Sequence, residues 1–296
     1  MASTKDFKVR IKSITSIKKI TKAMKMVAAS KLRQVQRNLD IIRPSFESIN
    51  SVYNEYLSTT STQTPPSTGH SQNHFILAIS SDRGLCGGIN TNTVKATKNS
   101  MRNILSSNSD NQVRLFTIGE KGKEVLAREH SKLLSTSVSE LSKKTITFVS
   151  ASLVAEELFQ MKVGDTNVSF DFCHIIYSKF KSVISQVLVE ETVLSTTQLN
   201  NYFYEFNQYE LDSEENKSEL LYDFYEFYLG LKLFSSLLEN ATSEQGARMN
   251  AMDSASRNAG EMIDKLTLIY NKARQASITR ELIEIISCAS AVSSSK

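Results

Sequence analysis

Residues 14–31 read ITSIKKITKAMKMVAASK, a stretch with neither proline nor glycine, and it decides how the chain is organised. Its apolar and small residues recur at alternating spacings of three and four, which is typical of a helix that winds around a partner helix. The predicted seam comprises Ile14, Ile17, Thr21, Met24, Ala28, Lys31 and Val35, widened by Ile20, Val27, Leu32 and Leu39. We therefore predict a long N-terminal helix over residues 1–57.

The other end of the chain repeats this spacing. The second predicted seam comprises Met252, Ala255, Ala259, Met262, Leu266, Ile269, Ala273 and Ala276. Forty residues of helix extend about 60 Å and seventy about 105 Å, more than the diameter of a small domain. Two such helices, residues 1–57 and 218–296, can bury each other's seams as a long antiparallel coiled coil. The alternative is a pair of ordinary amphipathic helices packed on a sheet, but globular helices average only about 11 residues.

The middle of the chain has the pattern of an α/β domain, residues 73–199. Strands are predicted at 74–80, 113–119, 170–177 and 183–194, and helices at 91–106, 120–128 and 148–161. Alternating strands and helices indicate a Rossmann-like, largely parallel sheet, in which the last strand pair can be antiparallel. A Ser/Thr/Pro-rich loop, 58–72, precedes this domain, and an acidic, aromatic-rich connector, 200–217, follows it.

The loop SDRGLCGGIN, residues 81–90, follows a strand and precedes a helix, which is where phosphate-binding loops lie. It matches neither G-x-G-x-x-G nor G-x-x-x-x-G-K-[ST], and no lysine is placed to reach a phosphate. We predict a tight turn with close backbone packing, and no bound cofactor. A small α/β enzyme that uses Asp82, Arg83 and Cys86 stays an alternative; it requires a pocket beside the loop and a perturbed thiol.

Composition excludes several classes of protein. Cys86, Cys173 and Cys288 are far apart and odd in number, which excludes a disulfide scaffold and a four-thiolate zinc site. Four histidines provide little material for a metal or catalytic centre, so we predict no metal. No apolar run reaches the roughly 18 residues that a membrane-spanning helix needs, so we predict no such helix.

Charge is distributed unevenly along the chain. Residues 1–43 carry twelve Lys and Arg against Asp6 and Asp40, whereas residues 200–240 carry nine acids against two lysines. A helix this basic requires an acidic partner, which can be nucleic acid, anionic lipid or an acidic protein surface. Lysine predominates and no aromatic residue lies between Phe7 and Phe46, which favours a protein partner. A basic coiled-coil nucleic-acid-binding protein stays the alternative, and steep salt dependence is its test.

Three segments in the same order closely resemble the γ subunit of F-type ATP synthases: residues 14–31, 81–90 and 244–285. Cys288 stands where that family usually has glycine, residues 196–240 match only loosely, and the cysteine-bearing regulatory insertion of chloroplast forms is absent. The resemblance implies a non-catalytic rotor whose helices turn inside a ring of α and β subunits, in a 3:3:1 ratio. It implies that the middle domain lies on the δ/ε-type subunits and the c-ring.

The resemblance also implies which residues make contacts. It places Arg274, Gln275, Thr279 and Glu281 against loops of β, and Met24 and Lys25 near an acidic lever of β. The family's central loop signature is carried by Asp82, Arg83, Gly84, Cys86 and Gly87. Because residues 261–267 are closer to mitochondrial versions, we expect the matrix side of the mitochondrial inner membrane, with the bacterial plasma membrane as the alternative.

Overall fold

The computed structural model describes residues 4–60, 72–108, 110–143, 145–159, 162–163, 166–167, 170–195 and 217–294. The long helices are α1 (Thr4–Thr60) and α5 (Lys217–Ser294), and the shorter ones are α2 (Ile89–Ser107), α3 (Glu120–His130) and α4 (Phe148–Phe159). The strands are β1 (Asn73–Ile79), β2 (Gln112–Ile118), β3 (Leu134–Val138), β4 (Lys162–Val163), β5 (Thr166–Asn167), β6 (Phe172–Phe180) and β7 (Gln186–Leu194). The predicted α/β fold with two long terminal helices is confirmed.

The predicted connecting segments fall largely outside the described residues. Of the loop 58–72, residues 58–60 belong to α1 and residue 72 precedes β1; of the connector 200–217, residue 217 begins α5. Within the described ranges, no helix has the length and apolar character needed to cross a membrane.

The main sheet has the order β3-β2-β1-β6-β7. β1 pairs in parallel with β2 and β6, β2 pairs in parallel with β3, and β7 is antiparallel to β6, as predicted for the last pair. The prediction missed β3, because LSTSV is short and polar, and it missed the two-residue strands β4 and β5. It also started the last strand too early, because the N–H groups of Lys181 and Ser182 donate to the Ser185 carbonyl in a turn.

The chain divides into two compact units, Met1–Val27 with Met249–Lys296, and Ala28–Arg248. In the first unit, α1 and α5 run antiparallel. Lys25 Nζ lies 2.6 Å from Asp253 Oδ1, and a Cβ added at Gly260 would lie 3.1 Å from Lys18 Nζ. Lys18, which precedes Lys25 on α1, thus lies beside Gly260, which follows Asp253 on α5. The two helices are therefore antiparallel, as the sequence predicted.

The predicted seam of this unit is right only in part. Thr21, Met252 and Ala259 are buried. The seam residues that are instead exposed are Ile17, Ile20, Val27, Met262, Ile269 and Ala276. On α5 the half-buried positions lie one residue later, at Ile263, Tyr270 and Ser277. The sequence could not separate the two registers, because both satisfy alternating spacings of three and four.

In the second unit, α5 is buried on every side over residues 228–244. Its Tyr228 ring stacks on Tyr53 of α1 with centroids 4.0 Å apart, and Phe148 of α4 packs edge-on against Phe234. On α1 the seam follows Ala28, Leu32 and Leu39, which are buried. The predicted seam residue Lys31 is exposed, because an ammonium group retains its hydration.

A separate core fills the space between the sheet and helices α2 and α3. It comprises Ile76, Ala78, Val94, Met101, Ile104, Val113, Leu115, Leu126 and Ile176. Strand β1 carries a continuous apolar run over residues 75–79, because central strands of a parallel sheet are covered on both faces.

Candidate functional site

The carboxylate of Asp82 lies at the start of α3. Its Oδ1 accepts hydrogen bonds from the N–H groups of Glu120 at 3.3 Å and Glu140 at 2.9 Å, and its Oδ2 accepts one from Ser142 Oγ at 2.8 Å. The N-terminus of a helix attracts anions through its free N–H groups and its dipole. The chain's own carboxylate therefore caps the start of α3.

Cys86 is enclosed beneath the loop. Its side chain is buried, and its Sγ lies 3.3 Å from Asn90 Nδ2 and 3.5 Å from Ser81 Oγ. The Ser81 N–H also donates to Asn90 Oδ1 at 3.0 Å, which fixes both neighbours of the thiol. A substrate cannot reach this buried thiol, so Cys86 does not fit the role of nucleophile in the enzyme alternative.

The close backbone packing predicted for this loop is found elsewhere. At Gly84 and Gly87 an added Cβ would meet no described atom within 4 Å; Gly87 is required instead by its φ of +64°. The close approach occurs at Gly119, where φ is +97° and an added Cβ would lie 2.7 Å from the Ser80 carbonyl oxygen. Glycine allows the ends of β1 and β2 to approach at this point.

Helix α5 holds the loop through Arg248. Its Nη2 donates to the carbonyl oxygens of Arg83 at 3.2 Å and Gly84 at 3.4 Å, and to Glu244 Oε1 at 2.6 Å. Burial raises the pKa of the Glu244 carboxyl above its ordinary value, although the Arg248 guanidinium opposes this shift. The side chains of Arg83 and Leu85 remain exposed, so the fixed loop presents them outward.

The crevice in which α/β sheets bind ligands is filled by α5. In such sheets the crevice lies at the carboxyl ends of strands where the strand order reverses, here between β1 and β6. Asn240 Nδ2 donates to the Ser80 carbonyl after β1, and Asn240 Oδ1 accepts from the Ser178 N–H in β6, both at 3.3 Å. The cavity left beside these groups measures about 20 Å³, room for about one water molecule. Among the described residues, this cavity is too small for the small-molecule substrate that the enzyme alternative requires.

The contact residues implied by the family resemblance lie at two levels of the first unit. Met24 and Lys25 are half-buried, and Arg274, Gln275, Thr279 and Glu281 are exposed. Lys25 is paired with Asp253, and its hydrogen bond lowers the pKa of that carboxyl. Asp253 and Arg274 are 21 residues apart on α5, about 32 Å at 1.5 Å per residue. The structure therefore does not bring the two groups together.

Two histidines that the sequence did not connect, buried His74 and half-buried His174, lie side by side. His74 Nδ1 lies 3.1 Å from His174 Nε2, and Thr192 Oγ1 lies 3.1 Å from His174 Nδ1. Burial, with a smaller contribution from His174, lowers the pKa of His74 to about 4, and Asp171 opposes the shift. The part of the chain that the structure describes contains no group of three or more residues able to hold a metal ion.

The sequence pattern did not predict the polar side chains of α5 that face the sheet. Glu239, Asn240 and Ser243 are buried in the stretch LKLFSSLLENATS, in which polar and apolar residues are mixed. Buried polar groups are almost always hydrogen-bonded, so this stretch carried a signal that the helix is seated on a polar partner.

Comparison with known proteins agrees with this architecture. A family model described as ATP synthase matches residues 3–292. The chain is 43% identical over 296 residues to the mitochondrial ATP synthase subunit gamma of Ipomoea batatas, covering 98% of this chain and 85% of that protein. It is 41% identical over 294 residues to the ATP synthase gamma chain of Pelagibacter ubique, covering 97% and 98% respectively.

A solved structure gives the same result. A chain from the central stalk and c-ring of the Tetrahymena thermophila mitochondrial ATP synthase superposes with a TM-score of 0.65 at 32% identity, covering 80% of this chain and 99% of that one. The fold thus belongs to the class of ATP synthase central-stalk chains. Within that class, the chain belongs to the ATP synthase gamma family. The resemblance seen in the sequence is confirmed, and the nucleic-acid alternative gains no support.

Proposed function

We propose that the chain is the central-stalk rotor subunit of a proton-translocating ATP synthase. It transmits rotation of the c-ring to the catalytic β subunits and is not catalytic on its own. Residues 1–57 and 218–296 form the stalk inside a ring of α and β subunits, in a 3:3:1 ratio. Residues 73–199, joined through 58–72 and 200–217, form the domain that contacts the δ/ε-type subunits and the c-ring. Membership of the gamma family supports this proposal.

The observation that carries the proposal is the exposed apolar surface near the end of α5. All residues from 278 to 290 are exposed. The large apolar residues among them are Ile278, Leu282, Ile283, Ile285 and Ile286, each 49–65% exposed. A large exposed apolar surface marks a site of protein interaction. In this proposal the α and β subunits surround it.

One asymmetric stalk explains how three identical β subunits come to differ. A single chain inside a threefold ring cannot make the same contacts with each β subunit. Contacts of different free energy are what shift a partner from one conformation to another. Rotation of the stalk therefore changes which β subunit is held in which conformation.

The two levels of contact residues have separate roles in this proposal. Arg274, Gln275, Thr279 and Glu281 engage loops of β, and Met24 and Lys25 face its acidic lever about 32 Å away along the helix. Because Lys25 is already paired with Asp253, the lever competes with Asp253 for the same ammonium group. This exchange gives a contact that can be released at each step of rotation.

The proposed location is the matrix side of the mitochondrial inner membrane, with peripheral attachment. The bacterial plasma membrane, on its cytoplasmic side, is the alternative, since the relatives include mitochondrial and bacterial chains of similar identity.

Co-expression with α and β subunits tests the function. We expect the chain to co-purify with them at 3:3:1 and to rotate a bead attached to its α/β domain when ATP is added. Elution of the chain on its own contradicts the proposal. Retention on DNA that falls steeply with salt, measured in the same sample, indicates the nucleic-acid alternative.

A further inference from the structure

Residues 239–243 of α5 are joined to the ends of two strands by side-chain hydrogen bonds. Glu239 Oε2 accepts from the Phe180 N–H at 2.8 Å, and Ser243 Oγ donates to the Ser178 carbonyl at 2.8 Å. Asn240 bonds to both Ser80 and Ser178, as described above. Glu239, Asn240 and Ser243 are at most 3% exposed, so water does not compete for these bonds.

Helix α1 is joined to the same point. Arg43 Nε and Nη2 donate to Glu239 Oε1 at 3.2 and 2.7 Å, and Nη2 also donates to the Phe180 carbonyl at 3.3 Å. The two long helices and the end of β6 therefore share one charged, hydrogen-bonded junction. Two charge-assisted bonds from Arg43 reach one carboxylate oxygen of Glu239, and the Phe180 N–H binds the other oxygen, so the carboxylate is held at both of its oxygens.

This chemistry resists twisting more than apolar packing does. A hydrogen bond weakens steeply once its angle or length departs from the optimum, whereas apolar side chains can slide past each other. Side chains extend to about 5–6 Å from a helix axis, so a 30° turn of α5 moves their tips by about 3 Å. That displacement breaks the bonds of Glu239, Asn240 and Ser243 together.

We infer that Arg43, Glu239, Asn240 and Ser243 form a torsional joint, which fixes the rotational angle of both long helices relative to the sheet. Glu239, Asn240 and Ser243 are buried within the chain, so these are positioning residues, which act by carrying torque from the α/β domain into α5, which continues to Ser294. The inference rests on the proposed rotor function.

Single-molecule rotation of the assembled α, β and gamma-family complex tests the joint. The ring is fixed to a surface, and a gold rod is attached at Ile184→Cys, an exposed position in the turn between β6 and β7. A Cys288→Ser background removes the exposed native thiol, while Cys86 and Cys173 are buried. The measured quantity is the variance of the rod angle during each pause.

Asn240→Leu and Ser243→Ala are the test variants, and Thr242→Val is the matched control. Thr242 is as buried as Ser243, but its hydroxyl donates to the Leu238 carbonyl within the helix at 2.7 Å. Asn240→Leu removes about half of the segment's bonds to the strands, so we expect the variance to rise about twofold. Ser243→Ala should give a smaller increase, and Thr242→Val none.

The outcomes separate the joint from the rotor function. If the wild-type complex rotates and both test variants have the variance of Thr242→Val, the joint is refuted while the rotor function stands. If the wild-type complex does not rotate, both are refuted. If the Asn240→Leu complex fails to assemble, the comparison of the angular variance of Ser243→Ala with that of Thr242→Val decides the question. A lowered melting temperature without broader pauses means that these residues only stabilise the fold, which also refutes the joint.

Discussion

The side-chain amide of Asn240 donates a hydrogen bond to the main-chain carbonyl of Ser80, 3.3 Å away and 160 residues earlier in the chain. This contact lies where an α/β sheet normally receives a ligand. At this place the sheet instead receives the chain's own C-terminal helix.

Gly119→Ala is expected to destabilise the chain strongly. The new Cβ would meet the Ser80 carbonyl oxygen at 2.7 Å, at a φ of +97° that alanine rarely adopts. We expect a loss of about 3 kcal/mol or more in the free energy of unfolding, measured by urea denaturation. Gly84→Ala is the control, since no described atom lies within 4 Å of its added Cβ. Similar losses for the two variants contradict the assignment.

Asp82→Ala is expected to loosen the start of α3. It removes the acceptor of the Glu120 and Glu140 N–H groups and of Ser142 Oγ. Hydrogen bonds to a charged group contribute about 1.5–3 kcal/mol, so we expect a loss of about 3 kcal/mol in unfolding experiments. Ser142→Ala removes one bond and should cost about 1 kcal/mol. An equal effect of both variants is the contrary result.

The His74–His174 pair makes stability depend on pH. The pKa of His74 in the folded chain is about 4, below its ordinary value of 6.5. Between these values the unfolded chain binds more protons than the folded one, so the free energy of unfolding falls as pH drops from 6.5 to 4. The pKa of His174 is also lowered by burial, which adds to the same trend.

Urea denaturation at pH 7.5, 5.5 and 4.5 measures this dependence. His74→Gln should flatten it, whereas His130→Gln should keep the wild-type slope, since His130 lies outside the pair. An unchanged slope in His74→Gln shows that other groups cause the dependence.

Lys232→Met is expected to destabilise the second unit. Lys232 is 5% exposed; its ammonium pairs with Glu191 of β7 and lies 5.0 Å from the centre of the Phe46 ring. Removing it leaves the Glu191 carboxylate without its cation, at a cost of about 3 kcal/mol. The double variant Lys232→Met/Glu191→Leu should regain most of that loss. A double variant that is less stable than Lys232→Met contradicts the pairing.

Met24→Lys is expected to impair coupling more than folding. Met24 is half-buried beside Lys25. In the proposed contact, the added ammonium would bind the acidic lever of β too tightly at one rotational angle. ATP hydrolysis and proton pumping, measured together in membrane vesicles, should show pumping lost to a greater extent. Met26→Lys is the control, because Met26 is 62% exposed and follows the other face of the helix. Equal loss of hydrolysis and pumping counts against this prediction.

The sequence predicted features that depend on local spacing. Helix α3 begins at Glu120 as expected, and β1 and β2 lie within one residue of their predicted positions. The inward face of α5 was placed wrongly at Met262 and Ile269, because apolar residues adjoin at those positions and only the partner helix selects between them.

Contacts between residues that are far apart in the sequence could not be predicted, for a different reason. His74 meets His174, and Glu239 meets Arg43, across separations of 100 and 196 residues. The spacing of residues within a segment does not predict such contacts. They result from the order of the strands in the sheet and from the antiparallel pairing of the helices. The family motif identified the loop that contains Asp82, but it did not predict which groups donate hydrogen bonds to the Asp82 carboxylate.

The exposed apolar surface near the end of α5 has a consequence for a chain that is not yet assembled into the complex. Ile283, Ile285 and Ile286 then face water and invite self-association, capture by chaperones or degradation. We therefore expect copies in excess of the subunits that cover this surface to be degraded.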